Sequence, residues 1–591
     1  MSVSPLRGVL VGAGTLFIFT PAASAQFNQQ WVRFQKDPAG LVTQTPLTNN
    51  TTETDVAWGD LDKDGWIDMA VARKEHFTSQ GKRPNVLLMN ENGVLTDRSA
   101  LYASATLGTP IADQGFLTPT NDRDVVVADL DNDGWLDVVT ATTRSDGDPK
   151  HIGHPRVYMN LGEDLAGNWL GLRFENARFP QFFNFQNGTP HNPSFCSVDA
   201  GDVTNDGFAD LYFGDYGGFT ADLDDRLCIN NSTGFFADQS QARMTFQMLE
   251  SAFGAAVKIR DMNGDGLKDV VKQTALFAPQ YVSITYNRPT APGNFQIFHD
   301  FHVGFAPYHI DVGELNNDGR LDMIFSDDGQ DRFRLNTGND PFGRAIWGPA
   351  KTYQFLAGGD QGFASNNLVA DLNMDGWNDV LICNVDVDIN NYGGRLNIYA
   401  NLGTVPGADI EMREQREFNN DSGWIGVVGM TAADMRDCHD VAVFDSDNDG
   451  DNDIFLTRRE GNEVWVNQTN PTFCQTNLGF GGPGTATLSV CGQPLWFGNT
   501  SLLTVLSNVP STPVFLAIGT DQGALPIFGG TIVTDPFLLL VSGLFTDGAG
   551  RMRIPITSKG TAPDLVIQGL VFDPAQSEAL ALTNGVRVKF N

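Results

Sequence analysis

Short apolar stretches recur along the chain, and each has the length and composition of a β-strand. The stretch 125–127 is Val-Val-Val, 138–139 is Val-Val, and 157–160 is Val-Tyr-Met-Asn. β-Branched and aromatic residues favour strands, and the polar, Gly-rich segments between them favour turns. A fourth stretch containing Phe often follows, as at Phe174. The pattern predicts units of four short antiparallel strands.

A nine-residue acidic segment lies between the first two strands of each unit and occurs seven times. We call the copies loops one to seven; they span 60–68, 129–137, 202–210, 261–269, 314–322, 371–379 and 445–453. The third strand of each unit ends in Asn, at Asn90, Asn160, Asn230, Asn287, Asn336, Asn401 and Asn467. Four-stranded units at this spacing are typical of propeller blades, so we expect an all-β fold with a seven-bladed β-propeller over 26–468.

The two ends of the predicted propeller complement each other. The chain turns to polar residues soon after Asn467 and leaves no room for a fourth strand in the last unit. The segment 31–34 precedes the first unit and has no partner there. We therefore expect it to pair with the strand 464–467 and to leave no open sheet edge.

The loops place oxygen-bearing side chains at positions 1, 3, 5 and 9, with a Gly at position 6 that permits a sharp, left-handed turn. Position 7 varies in chemistry, as expected if it offers only its carbonyl. Oxygen ligands without His or Cys suit Ca²⁺ better than Zn²⁺ or Mg²⁺, so we expect up to seven Ca²⁺ sites. The alternative, that these are simply polar turns, weakens with each copy. The side-chain ligands would be Asp60, Asp62, Asp64, Asp68, Asp129, Asp131, Asp133, Asp137, Asp202, Thr204, Asp206, Asp210, Asp261, Asn263, Asp265, Asp269, Glu314, Asn316, Asp318, Asp322, Asp371, Asn373, Asp375, Asp379, Asp445, Asp447, Asp449 and Asp453, and the carbonyls those of Trp66, Trp135, Phe208, Leu267, Arg320, Trp377 and Asp451.

The loops differ in charge. Loops one, two and seven have four carboxylates each, and the other four have three. Fewer charges predict weaker binding, and we expect the loops with Thr204 at position 3 and Glu314 at position 1 to be the first to stay empty.

The repeated DxDxDG loops, each followed by a strand ending in Asn, resemble the FG-GAP/VCBS repeats of integrin-α-like β-propellers, here of an exported bacterial type. The resemblance covers roughly 50–468. It implies a structural Ca²⁺ in each loop, held by the side chains at positions 1, 3, 5 and 9 and the carbonyl at 7. The Phe-Gly/Gly-Ala-Pro signature of integrin repeats is poorly matched, so integrin-type ligand binding is not implied.

Residues 1–25 have the pattern of a secretory signal peptide. Arg7 precedes a short apolar stretch, and Ala23-Ser24-Ala25 fits a cleavage site. The alternative, a membrane anchor, needs about 20 apolar residues, more than are present. We therefore expect a secreted, extracellular or cell-surface protein without a membrane-spanning segment. Disulfides are then the default for the cysteines: Cys474 with Cys491 first, and Cys196 with Cys228 and Cys383 with Cys438 on weaker grounds.

The segment 469–591 differs from the rest in composition. It has few charged residues, nearly balanced in sign, and alternating stretches such as 486–490, 502–506 and 514–518. We expect a small C-terminal β-sandwich. It weakly resembles a terminal module of other exported bacterial repeat proteins, and that resemblance implies no chemistry.

The chain carries 71 acidic and 38 basic residues, a net charge of -33. This charge excludes nucleic acid and anionic membrane surfaces as partners. Much of it lies in the loops, where 24 acidic residues occupy ligand positions.

No catalytic residue can be assigned from the sequence, because it lacks a nucleophile elbow, a phosphate-binding loop and a dinucleotide fingerprint. The aromatic run 179–185 either packs between blades or forms a ligand rim. We expect a binding or adhesion module for glycans or proteins at the cell surface. A polysaccharide-active lyase or hydrolase on the same scaffold and a purely structural envelope protein are the alternatives.

Overall fold

The structure is a computed structural model. It describes residues 32 and 34–589 apart from 43–52, 76–80, 216–224, 250–255, 274–281, 302–306, 327–329, 355–362, 375, 386–393, 404, 415–434, 448–450, 459–460, 468–474, 480–483, 485, 493–494, 496–499, 508, 528–529, 548–549, 558–563, 575 and 577–578. The predicted signal peptide therefore lies outside the described residues.

The fold is all-β, as predicted, and most strands belong to seven small sheets that we call sheets 1 to 7. Sheet 1 contains β2 (Leu41–Val42), β3 (Glu53–Gly59), β4 (Asp68–Lys74), β5 (Val86–Asn90) and β6 (Leu95–Asp97). Sheet 2 contains β7 (Ala105–Leu107), β8 (Asp122–Ala128), β9 (Asp137–Thr142), β10 (Arg156–Asn160) and β11 (Leu172–Glu175). Sheet 3 contains β12 (Phe195–Gly201), β13 (Asp210–Asp215), β14 (Arg226–Asn230) and β15 (Phe236–Asp238).

The next four sheets continue this order. Sheet 4 contains β16 (Ala256–Arg260), β17 (Asp269–Gln273), β18 (Val282–Asn287) and β19 (Phe295–Phe301). Sheet 5 contains β20 (His309–Gly313), β21 (Asp322–Ser326), β22 (Arg332–Arg334) and β25 (Lys351–Thr352), with the ribbon β23 (Asn336–Asn339) and β24 (Ala345–Trp347) between them in the chain. Sheet 6 contains β26 (Phe363–Ala370), β27 (Asp379–Val385), β28 (Asn397–Asn401) and β29 (Met412–Glu414). Sheet 7 contains β30 (Cys438–Phe444), β31 (Asp453–Arg458), β32 (Glu463–Asn467) and β1 (Phe34–Lys36).

Four one-turn helices lie in the connections: α1 (Ser99–Tyr102), α2 (Lys150–Gly153), α3 (Ser240–Arg243) and α4 (Phe246–Leu249). A 3₁₀ turn spans Gly115–Leu117. Among the described residues, no helix has both the length and the apolar character needed to cross a membrane.

The N-terminal strand joins the last repeat sheet, as the sequence predicts. Phe34 pairs with Asn467 and Lys36 with Trp465, in antiparallel register. Lys36 Nζ also donates a hydrogen bond to Glu463 Oε1 at 2.6 Å. The strand lies slightly further along the chain than the predicted segment 31–34, and it covers the edge of β32 that would otherwise be open.

Sheets 1 to 7 contact one another in chain order, and sheet 7 contacts sheet 1. Their first strands are neighbours in the sequence β3, β8, β12, β16, β20, β26, β30 and again β3. Each of seven apolar cores lies between two successive sheets. The second strands, such as β4 and β9, are buried along their whole length. Strands that are covered on both faces need apolar residues at successive positions, which explains runs such as Val138-Val139.

The C-terminal part forms two antiparallel sheets. One contains β33 (Thr476–Gly479), β36 (Pro513–Ile527), β37 (Gly530–Phe545), β39 (Leu565–Phe572) and β40 (Leu580–Val588), and the other β34 (Thr487–Gly492), β35 (Thr500–Leu506) and β38 (Arg551–Thr557). Both sheets contribute to one apolar core, with Val490 and Val505 from the second sheet and Val514 and Val586 from the first. The predicted stretches 486–490, 502–506 and 514–518 all fall on strands.

The cysteines behave differently in the two parts of the chain. Cys491 is disulfide-bonded, in keeping with the predicted pair, whose other member Cys474 lies outside the described residues. The two weaker pairings are wrong, because Cys196, Cys228, Cys383 and Cys438 are buried thiols rather than disulfides. Burial raises the pKa of the Cys383 thiol, which also hydrogen-bonds to Cys438 within one apolar core. Sequence proximity had suggested these partners, and it does not fix the geometry that a disulfide needs.

Candidate metal centres

Each of the seven loops connects the first and second strands of its sheet, and its last residue begins the second strand. Asp68 begins β4, Asp137 begins β9 and Asp453 begins β31. The loops therefore occupy equivalent places in sheets 1 to 7, as their common sequence predicts.

The loop backbone has two left-handed positions. The Gly at position 6 has φ of +93° at Gly65 and +94° at Gly376, as the sequence predicts. Position 4 is also left-handed, at Lys63 (62°), Asn132 (58°) and Met374 (57°). The Asn residues at position 4 of several copies are the signal that sequence reasoning missed, since Asn tolerates this conformation.

Carboxylates at positions 1 and 5 hold this turn together. Asp129 Oδ2 accepts the Gly134 N–H at 2.9 Å, and Asp133 Oδ1 accepts the Trp135 N–H at 2.8 Å. The same two bonds occur in loop one, from Gly65 to Asp60 and from Trp66 to Asp64. One oxygen of each carboxylate thus shapes the turn, and the other is left for a further partner.

Three loops bring carboxylates together closely enough to hold a cation. The groups are Asp60, Asp62 and Asp68 in loop one, Asp129, Asp131 and Asp137 in loop two, and Asp445, Asp447 and Asp453 in loop seven, each with one oxygen per residue within 4.8 Å of the others. Buried oxygens with no hydrogen-bond partner in the described part of the chain lie in two of them, at Asp60 Oδ1, Asp129 Oδ1 and Asp131 Oδ1. Unpaired buried carboxylate oxygens are costly, and a hard cation is the partner that would satisfy them.

These three are the loops with four carboxylates in the sequence. In loops three, four and five the three carboxylates of each loop are described, and no such group forms. In loop four the amide of Asn263 donates instead to Asp265 Oδ2 at 3.3 Å and to the carbonyl of Gly343 at 2.9 Å. Asp375 of loop six and Asp449 of loop seven lie outside the described residues. The structure thus brings three of the predicted carboxylate ligands together in loops one, two and seven, whereas in loops three, four and five the side chain at position 3 is hydrogen-bonded to a neighbouring carboxylate.

The aspartate at position 9 is buried and tied to the backbone on both sides. Asp137 Oδ2 accepts the Leu130 N–H at 3.0 Å, and its Oδ1 accepts the Asn160 N–H at 2.7 Å. Equivalent bonds occur in all seven sheets, at Asp68, Asp137, Asp210, Asp269, Asp322, Asp379 and Asp453. Burial raises the pKa of Asp68 and Asp137 to about 8. A cation beside these carboxylates would favour their ionised form.

The strand-ending Asn links each sheet to the loop of the preceding one. Asn160 Nδ2 donates to the carbonyl of Leu61 in loop one at 2.8 Å, and Asn230 Nδ2 to that of Leu130 in loop two at 2.7 Å. Asn90 of sheet 1 reaches Ser446 of loop seven in the same way, at 2.9 Å. The sequence showed these Asn residues without showing what they bind.

A cavity of about 370 Å³, which we call the axial cavity, lies where the first strands of sheets 1 to 7 meet. Each of these seven strands contributes residues to its lining. Asp55, Asp124 and Asp440 line it from sheets 1, 2 and 7, and Lys258, Arg260 and His309 from sheets 4 and 5. Burial, with Asp440 beside it, raises the pKa of Asp55 well above its usual range. Asp440 and Asp124 also accept backbone N–H groups of the next sheet, those of Val56 and Val198.

The aromatic run 179–185 divides between packing and exposure. Phe179 and Phe182 are buried in the core between sheets 2 and 3. Phe183 is 47% exposed and lines a surface cavity of about 530 Å³ together with Gln181, Asn184, Phe185 and Gln241. Packing between sheets is therefore confirmed for Phe179 and Phe182, and the ligand rim stays a prediction for Phe183.

Two pairs of histidines lie three residues apart in the sequence, His151 with His154 and His299 with His302, and no group that could hold a metal includes them among the described residues. His154 is buried against Phe182, with ring centroids 5.1 Å apart, and burial lowers its pKa to about 3. It is a core histidine. His302, of the second pair, lies outside the described residues.

Comparisons with known proteins assign no family. No protein-family model matches the sequence, and no curated protein is similar to it. Among solved structures, the chain is similar to the Vibrio cholerae biofilm matrix protein Bap1, at 11% identity and a TM-score of 0.27, over 83% of this chain and 70% of that one. It is also similar to the Trypanosoma rangeli sialidase, crystallised with the inhibitor DANA, at 9% identity and a TM-score of 0.32, over 83% of this chain and 95% of that one.

Proposed function

We propose that this chain is an exported, calcium-binding β-propeller of the FG-GAP/VCBS-like type with a C-terminal β-sandwich. We propose further that it acts as a binding or adhesion module for glycans or proteins at the cell surface. The proposal has three parts, the architecture, the metal and the ligand, and each has its own support.

The architecture is supported by the order of contacts among sheets 1 to 7. Each sheet packs on the next through one apolar core, the seventh packs on the first, and β1 completes sheet 7 from the other end of the chain. This arrangement is what we expect of propeller blades that are closed by an N-terminal strand. The common core of the two C-terminal sheets supports the proposed sandwich.

Calcium is supported by the donor set of loops one, two and seven. Carboxylate oxygens converge there without His or Cys, and three of those in loops one and two are buried with no hydrogen-bond partner among the described residues. Asp60, Asp62 and Asp68 would hold the ion in loop one, and their equivalents would do so in the other two loops. The positive charge of the ion would hold the carboxylates of the loop together and so stabilise the turn between the two strands, which is a structural role.

The proposed binding function rests on the surface cavity at Phe183, which we call the groove. An exposed phenyl ring offers an apolar face, and the exposed amide of Gln241 on the same surface offers a hydrogen-bond donor and acceptor. The amide nitrogen of Gln181 already donates to the carbonyls of Phe182 and His191, and Asn184 is buried. Sites that bind small molecules typically combine apolar and aromatic surfaces with a few placed polar groups. A sugar ring has this dual character, with C–H groups on its face and hydroxyls at its rim.

The test is a glycan array probed with the calcium-loaded chain, with and without EGTA. We expect specific binding that Phe183→Ala reduces at least tenfold. Phe342→Ala is the matched control, because Phe342 is also exposed but lies outside the groove. Binding that Phe183→Ala leaves unchanged contradicts this site, and a chain that binds no glycan or protein favours the structural role instead.

The polysaccharide-active enzyme is the second candidate, and the axial cavity is what favours it. Asp55 and Asp440 lie side by side there, and burial raises the pKa of Asp440 to about 6 and that of Asp55 well above its ordinary value. One protonated and one ionised carboxyl group are what general acid–base catalysis requires. The bonds of Asp440 to the Val56 and Val441 N–H groups already give it a structural task, so we rank binding first. Release of reducing or unsaturated ends from polysaccharides, abolished by Asp440→Asn, would reverse that order.

A further inference from the structure

The sheet that contains β36, β37, β39 and β40 has apolar residues on both of its faces. Val514 of β36 and Val571 of β39 belong to the core of the C-terminal part. Successive residues of a strand point to opposite faces, so Phe515 and Phe572, which follow these two valines in the chain, lie on the outer face. An antiparallel sheet with one face on the core normally presents polar residues on the other face. The apolar outer face of this sheet therefore needs an explanation.

The strand register brings the apolar residues of the outer face together. Phe545 of β37 stands opposite Pro513 of β36, and Phe572 of β39 stands opposite Leu580 of β40. The register of β36 with β39 aligns these two pairs in a single row across four strands. We call the following six apolar residues of this face the outer patch: Phe515, Leu540, Phe545, Leu570, Phe572 and Leu580.

Half of the outer patch is well exposed. Phe545, Leu540 and Phe572 are 59%, 47% and 43% exposed, and the other three members are half-buried. Leu538 and Leu539, beside the patch at the edge of the sheet, are 56% and 47% exposed. At about 150–200 Å² for a whole side chain of this size, these five side chains expose roughly 400–500 Å² of apolar surface. A single exposed apolar residue is ordinary, whereas a contiguous patch of this area marks an interaction site.

The edge of the sheet beside the outer patch is poorly suited to pairing with a further strand. β37 is the edge strand, and two bulges interrupt its register with β36, one at Leu538 and one at Ser542 and Gly543. Pro536, in the same strand, has no N–H to donate. Bulges and prolines protect edge strands from the addition of a further strand. A partner of the outer patch is therefore one that packs a face on it, rather than an extended segment that pairs beside it.

Charge favours a second copy of this chain as that partner. Residues 470–591 contain six acidic and five basic residues, so -32 of the net charge of -33 lies in the rest of the chain. Two copies repel each other through their acidic parts, and they meet at the least cost where the charge is smallest. A cationic partner, by contrast, would be attracted to the acidic part. An apolar patch is also complementary to itself, and a two-fold axis brings the same patch of two copies together.

We propose that the outer patch is a dimer interface, at which the sheets of two copies pack face to face about a two-fold axis. Two patches would together bury roughly 800–1,000 Å² of apolar surface, near the lower limit of specific protein–protein interfaces. We therefore expect a reversible dimer that forms at micromolar concentrations of the chain. The inference is independent of the proposed calcium and glycan sites, which lie in the repeat sheets.

The test is sedimentation velocity of the full-length chain in calcium-containing buffer, at chain concentrations from about 1 to 100 μM. Phe545→Lys and Phe572→Lys should each raise the dissociation constant of the dimer at least about tenfold, because each brings an unpaired charge into an apolar contact. Leu165→Lys is the matched control, since Leu165 is fully exposed in the connection between β10 and β11. This control and the conservative Phe545→Leu should change the dissociation constant less than about threefold.

Salt provides a second measurement. Raising NaCl from about 0.1 M to 0.5 M screens the repulsion between the acidic parts, so the dimer should become tighter, whereas a contact made by ion pairs would weaken. Weakening by salt overturns the inference, as does a chain that stays monomeric at the highest concentration or a dimer that neither lysine variant weakens. Assemblies that grow beyond two copies would also contradict it, because a two-fold contact closes at the dimer. Phe572→Lys keeps the test decisive if Phe545→Lys does not fold.

Discussion

At the scale of single residues, one aspartate and one asparagine organise each sheet. Asp137 accepts hydrogen bonds from backbone N–H groups of its own loop and of the end of β10. Asn160, the last residue of β10, donates a side-chain hydrogen bond to the carbonyl of Leu61 in the preceding loop. Both side chains are buried, and each bond satisfies a backbone group that would otherwise lose its partner on folding. The repeat is therefore held by polar contacts as well as by its apolar cores.

Asn160→Ala should be among the more damaging single substitutions in the repeat sheets. It removes the donors to the carbonyls of Leu61 and Leu136 and the acceptor for the Trp169 indole N–H, at 2.8 Å. Leaving buried polar groups unpaired costs about 1–3 kcal/mol each, so we expect a loss of about 2–5 kcal/mol. Asn168→Ala, at an exposed position in the connection between β10 and β11, should cost less than about 0.5 kcal/mol. Urea unfolding measures both, and equal losses would contradict the role given to Asn160.

At the scale of elements, the loops share a backbone and differ in electrostatics. All of the described turns use left-handed residues at positions 4 and 6, whether or not their carboxylates converge. The turn is thus fixed by Gly, Asn and hydrogen bonds to positions 1 and 5. The loops differ in the number of carboxylates, and only loops one, two and seven among those described bring three of them together.

Asp131→Asn should remove one calcium ion from the chain at about 1 mM calcium. It lowers loop two from four carboxylates to three, the composition of loops that do not gather their oxygens, and lower charge weakens calcium binding. Asp164→Asn is the control, since Asp164 is exposed and lies outside the loops. Isothermal titration gives the stoichiometry and the affinity, and an unchanged count with unchanged affinity would contradict the role given to Asp131.

At the scale of the whole molecule, calcium should contribute to stability through several loops at once. Each site contributes about 2.7 kcal/mol when calcium is at 100 times its dissociation constant. With three loops filled, EGTA should therefore lower the melting temperature by on the order of 10 °C. Differential scanning calorimetry measures the change. A melting temperature that does not respond to EGTA would be incompatible with a structural role for the ion.

The axial cavity predicts how stability changes with pH. The pKa of Asp440 is raised from its ordinary value of 3.8 to about 6 in the fold, and that of Asp55 is also raised well above this ordinary value. Between about pH 4 and 6 the folded chain therefore binds more protons than the unfolded chain, so the free energy of unfolding falls as the pH rises through this range. The loss from Asp440 should be on the order of 3 kcal/mol.

Asp55→Asn should flatten that pH dependence. The amide resembles the neutral carboxyl group that the fold prefers, so the variant should match the unmodified chain near pH 5 and exceed it near pH 8. Asp521→Asn, at a position that is exposed, should leave the profile as it is. Urea unfolding in saturating calcium at both pH values measures the free energy of unfolding of each chain. The same change in free energy between the two pH values in all three chains would show that Asp55 does not cause the pH dependence.

Much of the fold follows from the sequence because its signals are local. Alternation and β-branched residues define the strands, seven copies of one loop define the sheets, and the unpaired segment near residue 34 indicates where the ends meet. The left-handed Gly at position 6 and the higher charge of loops one, two and seven are equally local. These features were predicted from the residues, and the structure has them.

The tertiary structure alone decided which residues meet across the chain. The Asn160–Leu61 and Arg553–Asp371 contacts join residues 99 and 182 positions apart, and the axial cavity gathers one strand from each of sheets 1 to 7. In the folded chain Phe183 is exposed whereas Phe179 and Phe182 are buried, and Cys196 and Cys228 are thiols and do not form a disulfide. Periodicity and composition determine local backbone structure, whereas pairing between distant side chains depends on the packing of whole sheets, which no short segment encodes.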